Sequence, residues 1–365
     1  MTIQQYDQQV IDQRILGLQR AIFSHHRFDA ALAQIEEDIA ASEAGLNAQA
    51  RLVCGHSGSG KTTLVEHVVE RHPVVRAPDG DIRPVVHVEL AEATTKKGMV
   101  SAIFHATGYD NRARLTASEI VEEIADKVER LGVKMILVDE AHHLINGREV
   151  GPITEFLKSL LNRIGCNIVL VGLPELQNMR HFEQFDRRLR PDLALAPYNW
   201  AEWQEQLQFL GLLTMFEQLC ALEKASHLSS GDLAPRIYVA TGGQIGIVAK
   251  YLAAALKIAM LRGEARITKA ILAEVHAQWH PCASPPKQID FNMAFVIDEK
   301  ATLDDAIGGV GQSRIDKDNN PFACRFAELN DIWEARQLSA AIETRSRVRR
   351  TRGRGKGPES PKAFH

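Results

Sequence analysis

Arg51-Leu52-Val53-Cys54-Gly55-His56-Ser57-Gly58-Ser59-Gly60-Lys61-Thr62-Thr63 is the stretch that decides the fold of this chain. Its centre fits G-x-x-x-x-G-K-[ST], and the chemistry needs these residue types in this order. Gly55, Gly58 and Gly60 let the backbone curl around His56, Ser57 and Ser59 so that its N–H groups turn toward phosphate oxygens. Lys61 reaches the β- and γ-phosphates, the Thr62 hydroxyl ligates Mg²⁺, and Thr63 completes the cradle. Context supports the match. Leu52-Val53-Cys54 reads as a buried strand entering the loop, and Leu64, Val65, Val68 and Val69 form one face of a helix leaving it.

Working outward, short apolar runs alternate with amphipathic segments. The runs are 51–54, 85–90, 134–138, 167–171 and 193–196; helical patterns fall near 61–71, 98–107, 117–131, 152–164 and 175–185. That alternation predicts an α/β fold with a parallel five-stranded sheet covered by helices on both faces. The run Met135-Ile136-Leu137-Val138 ends in Asp139-Glu140, at the strand end where such sheets bind ligands. Asp139 is placed for the Mg²⁺ shell and Glu140 to orient and deprotonate an attacking water, which favours ATP hydrolysis. Asp139-Glu140-Ala141-His142 also spells a helicase-like box, but the chain has no room for a second motor domain. His142 and His143 read as helix-start residues rather than metal ligands.

Asp186-Arg187-Arg188-Leu189-Arg190-Pro191 follows a helical pattern and precedes the fifth strand. Its arginines fit a finger reaching a neighbour's γ-phosphate, a solvated face or a DNA contact.

Composition sets bounds on the rest. The chain has 365 residues, 45% hydrophobic and 24% charged, with a net charge of -3. Wholesale disorder is excluded, and two or three domains are expected. Residues 345–365 carry eight basic residues and one acid, leaving 35 basic and 45 acidic elsewhere. A basic arm on an acidic body suits DNA phosphates or an acidic partner. Cys54, Cys166, Cys220, Cys282 and Cys324 stand far apart. They form neither a disulfide framework nor a zinc pattern, and a reducing cytosol is the simplest reading, with a cytoplasmic chain that does not cross a membrane. The expected organisation is a helical segment over 1–46, a nucleotide-binding core over 47–199 and a helical lid over 200–280. A linker with short docking segments (281–344) and a basic disordered tail (345–365) follow. Phe322, Phe326, Leu329, Ile332 and Trp333 recur at helical spacing within that linker.

The order of these parts resembles AAA+ ATPases, and in detail the chain resembles the TniB/TnsC group of transposition-regulating ATPases. The stretches that carry the resemblance are MILVDEAHHLINGR (135–148), FLKSLLNRIGCNIVLVGLPE (156–175), QFDRRLRP (184–191) and TGGQIGIVAKYLAAALKIAMLRGEARIT (241–268). The resemblance implies an AAA+ phosphate-loop sheet in order 5-1-4-3-2 with an α-helical lid. It also implies ATP- and Mg²⁺-dependent assembly as a ring or filament on double-stranded DNA, recruitment of a DDE transposase, and disassembly after hydrolysis. A TniQ-like adaptor is a further implied partner. By the same resemblance Arg188 takes the arginine position, and DNA contacts fall on Lys96 and Lys97, beside Thr94 and Thr95, and on Arg112, Arg114 and Thr116.

Two positions depart from the family pattern. Leu173 stands where a γ-phosphate-sensing Thr is usual, and Gly246 where many AAA+ lids carry an arginine. Both imply slow hydrolysis, suited to a timer. The alternatives are a helper ATPase for a replication or secretion assembly, and a nucleotide-stabilised scaffold that does not hydrolyse.

Overall fold

The computed structural model describes residues 6–20, 25–78, 80–92, 94–108, 117–145 and 150–278, together with Pro321, Phe322, Phe326 and Leu329. In chain order the elements are α1 (Gln8–Arg20), α2 (His26–Glu43), β1 (Ala50–Gly55), α3 (Lys61–Arg71), β2 (Val75–Ala77), β3 (Gly80–Ile82), β4 (Val85–Glu89), α4 (Lys96–Ala106), α5 (Ala117–Arg130) and β5 (Met135–Asp139). They continue with a 3-10 turn at Ala141–Leu144, α6 (Val150–Arg163), β6 (Asn167–Gly172), a 3-10 helix at Pro174–His181, α7 (Glu183–Asp186), β7 (Leu193–Leu195), α8 (Trp203–Cys220), α9 (Leu233–Thr241), α10 (Ile245–Leu261) and α11 (Lys269–Gln278). These elements form two compact units. One holds residues 22–196; the other joins α1 to the chain after residue 196.

In the first unit five parallel strands lie in the order β4-β5-β6-β1-β7. Counted along the chain within that sheet, this is 5-1-4-3-2 read from the opposite edge. The three central strands are buried along their whole length. Successive side chains point to opposite faces, so each strand feeds two cores. Ile136, Val138, Ile168 and Leu170 join the core under α4, α5 and α6. Met135, Leu137, Val169 and Val171 meet Phe28 and Ile35 of α2 and Leu64, Val65 and Val68 of α3. The expected helix at 175–185 is instead a 3-10 helix followed by the single turn α7. Pro174 at its start brings no N–H, and its own pattern of apolar residues is sparse. The antiparallel hairpin β2–β3 was not expected. Its residues are exposed or half-buried, so no apolar run announces it.

The second unit is helical. Gly242 and Gly243 have φ of 63° and 68°, and α9 and α10 meet there at a 116° bend. A side chain at Gly243 would run into the Tyr238 ring and stand 2.8 Å from the Tyr198 carbonyl oxygen. Tyr238 also donates its hydroxyl to that oxygen at 2.8 Å. The helical segment expected over 1–46 is two helices that belong to different units. α1 packs along α10 and α8, and Arg14 donates to the Ala221 carbonyl at the end of α8, 3.0 Å away. Arg236, fully buried, donates to Asp232 at 2.7 Å and to the Pro321 carbonyl. Burial alone would raise the Asp232 carboxyl; Arg236 and Lys269 instead hold it below its ordinary value. Phe322 stacks on Tyr251 with centroids 5.9 Å apart, and Leu329 is buried. The helical spacing of 322–333 fits partner docking and packing on the chain's own core equally, and these two of its apolar residues pack within the chain. The rest of 281–344, and all of 345–365, lie outside the described residues. No single helix among the described residues is long and apolar enough to cross a membrane.

Cys54, Cys166 and Cys220 are buried free thiols, and burial pushes each up to about 12. A thiol is nucleophilic only as the thiolate. A maleimide at pH 7.5 is expected to leave all three unmodified in the native protein and to label them in denaturant. Mass spectrometry of the labelled peptides checks this, and rapid native labelling of any of the three would contradict the packing.

Candidate functional site

The site begins where β1 ends. Gly58 and Gly60 adopt φ of 80° and 89°, a left-handed conformation that favours glycine, and α3 starts immediately at Lys61. The first N–H groups of a helix have no partner within it, so the loop and the start of α3 present donors to a common point. Gly55 is tightly enclosed. A side chain there would collide with Ser59 Oγ and approach the Leu195 carbonyl oxygen to 2.8 Å. Gly55→Ala is expected to cost about 1–3 kcal/mol of stability by overpacking and to abolish nucleotide binding. Thermal unfolding together with titration of a fluorescent nucleotide checks both.

Lys61 is buried, and its Nζ donates to the carbonyls of Gly55 and His56, each at 3.0 Å. Burial holds the amine below its ordinary range, opposed by the nearby carboxylates of Glu140 and Asp139. Ser59 Oγ is buried without a hydrogen-bond partner. An orphaned hydroxyl, a buried cation and a run of helix-start N–H groups fit a polyphosphate: the anion would supply the acceptors that this loop lacks.

β5 lies two strands from β1 and ends at the same edge of the sheet. Asp139 is buried, and its Oδ1 accepts from the Glu140 N–H at 2.7 Å. Glu140 has φ 55°. For a non-glycine residue that conformation costs energy, and it turns the carboxylate out of the strand line at the sheet's edge. The 3-10 turn Ala141–Leu144 then carries His142 and His143, with ring centroids 4.2 Å apart. Glu140 Oε2 stands 3.1 Å from His142 Nδ1 and 4.0 Å from His143 Nε2, so the three form a group of potential ligands. Burial, then His143, keeps His142 below its ordinary value; Glu140 opposes this, and Lys61 adds to it. Gly172 closes the far side, since a side chain there would stand 2.9 Å from the His142 N–H nitrogen.

Thr62 is exposed at the start of α3, and Asp139 is buried at the end of β5. A hydroxyl and a carboxylate are the hard oxygen donors that Mg²⁺ takes, together with phosphate oxygens and water. Glu175, to which the sequence reading assigns no role, is close enough to oppose the lowering that burial imposes on His56 and His142. Its only signal in the sequence is its place just after the fourth-strand end. Leu173, the residue between Gly172 and Pro174, brings no hydroxyl to the site.

Arg188 lies at the opposite edge of the sheet. Its carbonyl accepts from the Ala50 N–H, at 2.9 Å, where β1 begins. Its neighbours in the run are engaged: Arg187 pairs with Glu183, and Arg190 with Asp38 at 2.6 Å. The Arg188 guanidinium has no hydrogen-bond or ion-pair partner among the described residues, and it borders an open groove of ≈ 390 Å³ with Lys158, Glu183, Gln184 and Arg187. Lys96 and Lys97 are the first residues of α4 rather than loop residues, under a Thr95 cap that accepts from the Gly98 N–H at 3.2 Å. Lys97 is exposed, while Lys96 is half-buried with its Nζ 5.4 Å from the Phe156 ring centre. Arg112, Arg114 and Thr116 lie outside the described residues.

Comparison with known proteins bears on the fold and the family. The structure of Aeropyrum pernix ORC2 in ADPNP and ADP complexes superposes with a TM-score of 0.53 at 19% identity, covering 73% of this chain and 72% of that one. Aeropyrum pernix ORC1 in complex with DNA superposes with a TM-score of 0.52 at 17% identity, covering 72% and 68%. At such identities the likeness establishes the AAA+ fold. Among curated protein sequences none matches significantly. The family model described as "Bacterial TniB protein" matches residues 14–199, just over half of the chain, from within α1 to beyond β7. The chain belongs to the bacterial TniB family.

Proposed function

We propose that this protein is a DNA-transposition regulator that binds ATP with Mg²⁺, assembles on double-stranded DNA as a ring or filament, and recruits or activates a DDE transposase. One observation carries the reading: in a TniB chain, the phosphate loop and the Asp139-Glu140 pair meet at one edge of the sheet, while Arg188, without a side-chain partner among the described residues, stands at the other. Lys61 and the loop N–H groups would hold the phosphates, and Thr62 and Asp139 the Mg²⁺. A bound ion would supply charge neutralisation, and Glu140 would orient the water and accept its proton. Arg188 would act on the nucleotide of a second copy. The exposed Lys97 at the start of α4 suits contact with DNA phosphates, which carries no sequence information.

Electron microscopy tests the reading. Rings or filaments that form only with a non-hydrolysable ATP analogue and duplex DNA together are expected, and Lys61→Ala should prevent them. Particles that need nucleotide but ignore DNA would overturn the DNA-assembly reading and favour a helper ATPase acting on protein. Leu173 favours one second reading, a nucleotide-stabilised scaffold: with no hydroxyl at that position, hydrolysis loses a γ-phosphate contact. Phosphate release measured with and without DNA separates this scaffold from a slow timer.

A further inference from the structure

We infer that Asp38 on α2, acting through Arg190 and Arg51, is a positioning residue that holds Arg188 ready for a phosphate group on a second copy of this chain. The inference rests on the proposed action of Arg188 between copies and names the device that makes it possible.

The argument starts on α2. Ala31, Ile35 and Ile39 form its buried stripe, and Asp38 and Ser42 lie on the same buried side. A carboxylate planted among core residues is costly unless it is paired and hydrogen-bonded. Asp38, 1% exposed, is met by two guanidinium groups. Arg51 of β1 donates through Nε and Nη2 at 2.5 and 2.8 Å, and Arg190 donates through Nη1 at 2.6 Å. Asn167 at the start of β6 fastens the helix itself: its amide donates to the Asp38 carbonyl at 2.6 Å, and its backbone N–H to Ser42 Oγ at 3.1 Å.

The segment around Arg188 is then held from several directions. Ala50 donates to the Arg188 carbonyl and accepts from the Arg190 N–H, at 2.9 and 2.8 Å. Arg51 Nη1 reaches the Pro191 carbonyl, and Arg180 the Arg190 carbonyl, each at 2.8 Å. Arg190 Nε also donates to Gln49 at 2.9 Å. Among the described residues the guanidinium groups of Arg51, Arg180 and Arg190 fix this short stretch, Arg187 pairs with the exposed Glu183, and Arg188 has no side-chain partner. A stability role would need no unpaired arginine at the centre of the clamp. A charge that must meet a developing charge in the right place does need a rigid support, because misplacement by about 1 Å can cost about a hundredfold in rate.

Arg190→Gln is the first variant, since it releases the segment and leaves the Asp38–Arg51 pair intact; Arg190→Lys keeps a charge on Asp38 but loses the fork to Gln49. Three readouts are needed: binding of a fluorescent ATP analogue, ATP turnover of the DNA-bound assembly, and turnover after mixing with Glu140→Gln subunits. Glu140→Gln chains are expected to bind nucleotide and assemble without turnover, and they still offer Arg188. Arg190→Gln is expected to bind nucleotide normally and to lose about ten- to a hundredfold in turnover. Mixing with Glu140→Gln should restore turnover, and Arg190→Lys should fall between Arg190→Gln and the parent. Asp38→Asn, where it folds, should behave like Arg190→Gln.

Parent-level turnover by Arg190→Gln would overturn the inference. So would a dead mixture of Arg190→Gln with Glu140→Gln under conditions where Arg188→Ala mixed with Glu140→Gln recovers. If the Arg188→Ala mixture also stays dead, action between copies is itself wrong, and the positioning role falls with it.

Discussion

Arg188→Ala is expected to reduce ATP turnover of the DNA-bound assembly by about 10³–10⁵-fold, while the affinity of the chain for nucleotide stays unchanged. The size of the effect follows from the charge that builds on the transferred phosphate, which an arginine neutralises in a water-poor site. The separation of rate from affinity follows from the sheet. Arg188 is bonded to Ala50 at the start of β1, and the phosphate loop leaves its other end after Gly55. At roughly 3.3 Å per residue, those ends lie about 17 Å apart, beyond the reach of an arginine side chain. Within one chain Arg188 cannot touch the phosphates that the same chain holds. Arg188→Lys should recover only part of the rate, since an ammonium lacks the planar fork that grips two phosphate oxygens. Steady-state phosphate release, measured across protein concentrations, checks the prediction. An equal loss in dilute, unassembled protein, or a weakened nucleotide affinity, would show that Arg188 does not act between copies.

Glu140→Gln is expected to slow hydrolysis by about 10²–10⁴-fold and to lengthen the life of the assembly on DNA. Gln keeps the shape of Glu, so the φ of 55° and the bond from the Glu140 N–H to Asp139 should survive. What is lost is the group that takes the water's proton. Asp139, buried and already accepting a hydrogen bond, keeps its place at the end of β5. Nucleotide binding and assembly should therefore persist while turnover collapses. Phosphate release and light scattering after dilution measure the two effects separately. If turnover vanishes and the assembly dissociates as before, hydrolysis does not time its departure. If the parent protein releases no phosphate at all, the scaffold reading, with Leu173 as its cause, replaces the timer.

Much of this protein was open to reading along the chain because its strongest signals are local. A phosphate loop needs closely spaced glycines, a lysine and a threonine, and all of them lie in one short run from Gly55 to Thr63. A strand buried on both faces must be continuously apolar, so 134–138 and 167–171 declared themselves, and Asp139-Glu140 stood at the end of one of them. The glycine pair that bends α9 into α10 was equally visible, since only glycine adopts that conformation cheaply. The exposed hairpin β2–β3 was hidden for the opposite reason: it buries little and leaves no pattern.

What the tertiary structure alone decided is pairing over long separations. Glu183 stands four residues before Arg187, a pairing open to local reading, but nothing local distinguishes Arg188 from Arg190. Only the folded chain shows that Asp38 takes Arg190, while Arg188 has no side-chain partner among the described residues. Asp38 itself reads as one more acid on an amphipathic helix until Arg51, Arg190 and Asn167 are brought around it. The split of residues 1–46 between two units, and the burial of Phe322 and Leu329, are decisions of the same kind. Helix, strand and loop chemistry depend on neighbours a few residues away. That Arg190 is neutralised depends on Asp38, more than a hundred residues away along the chain.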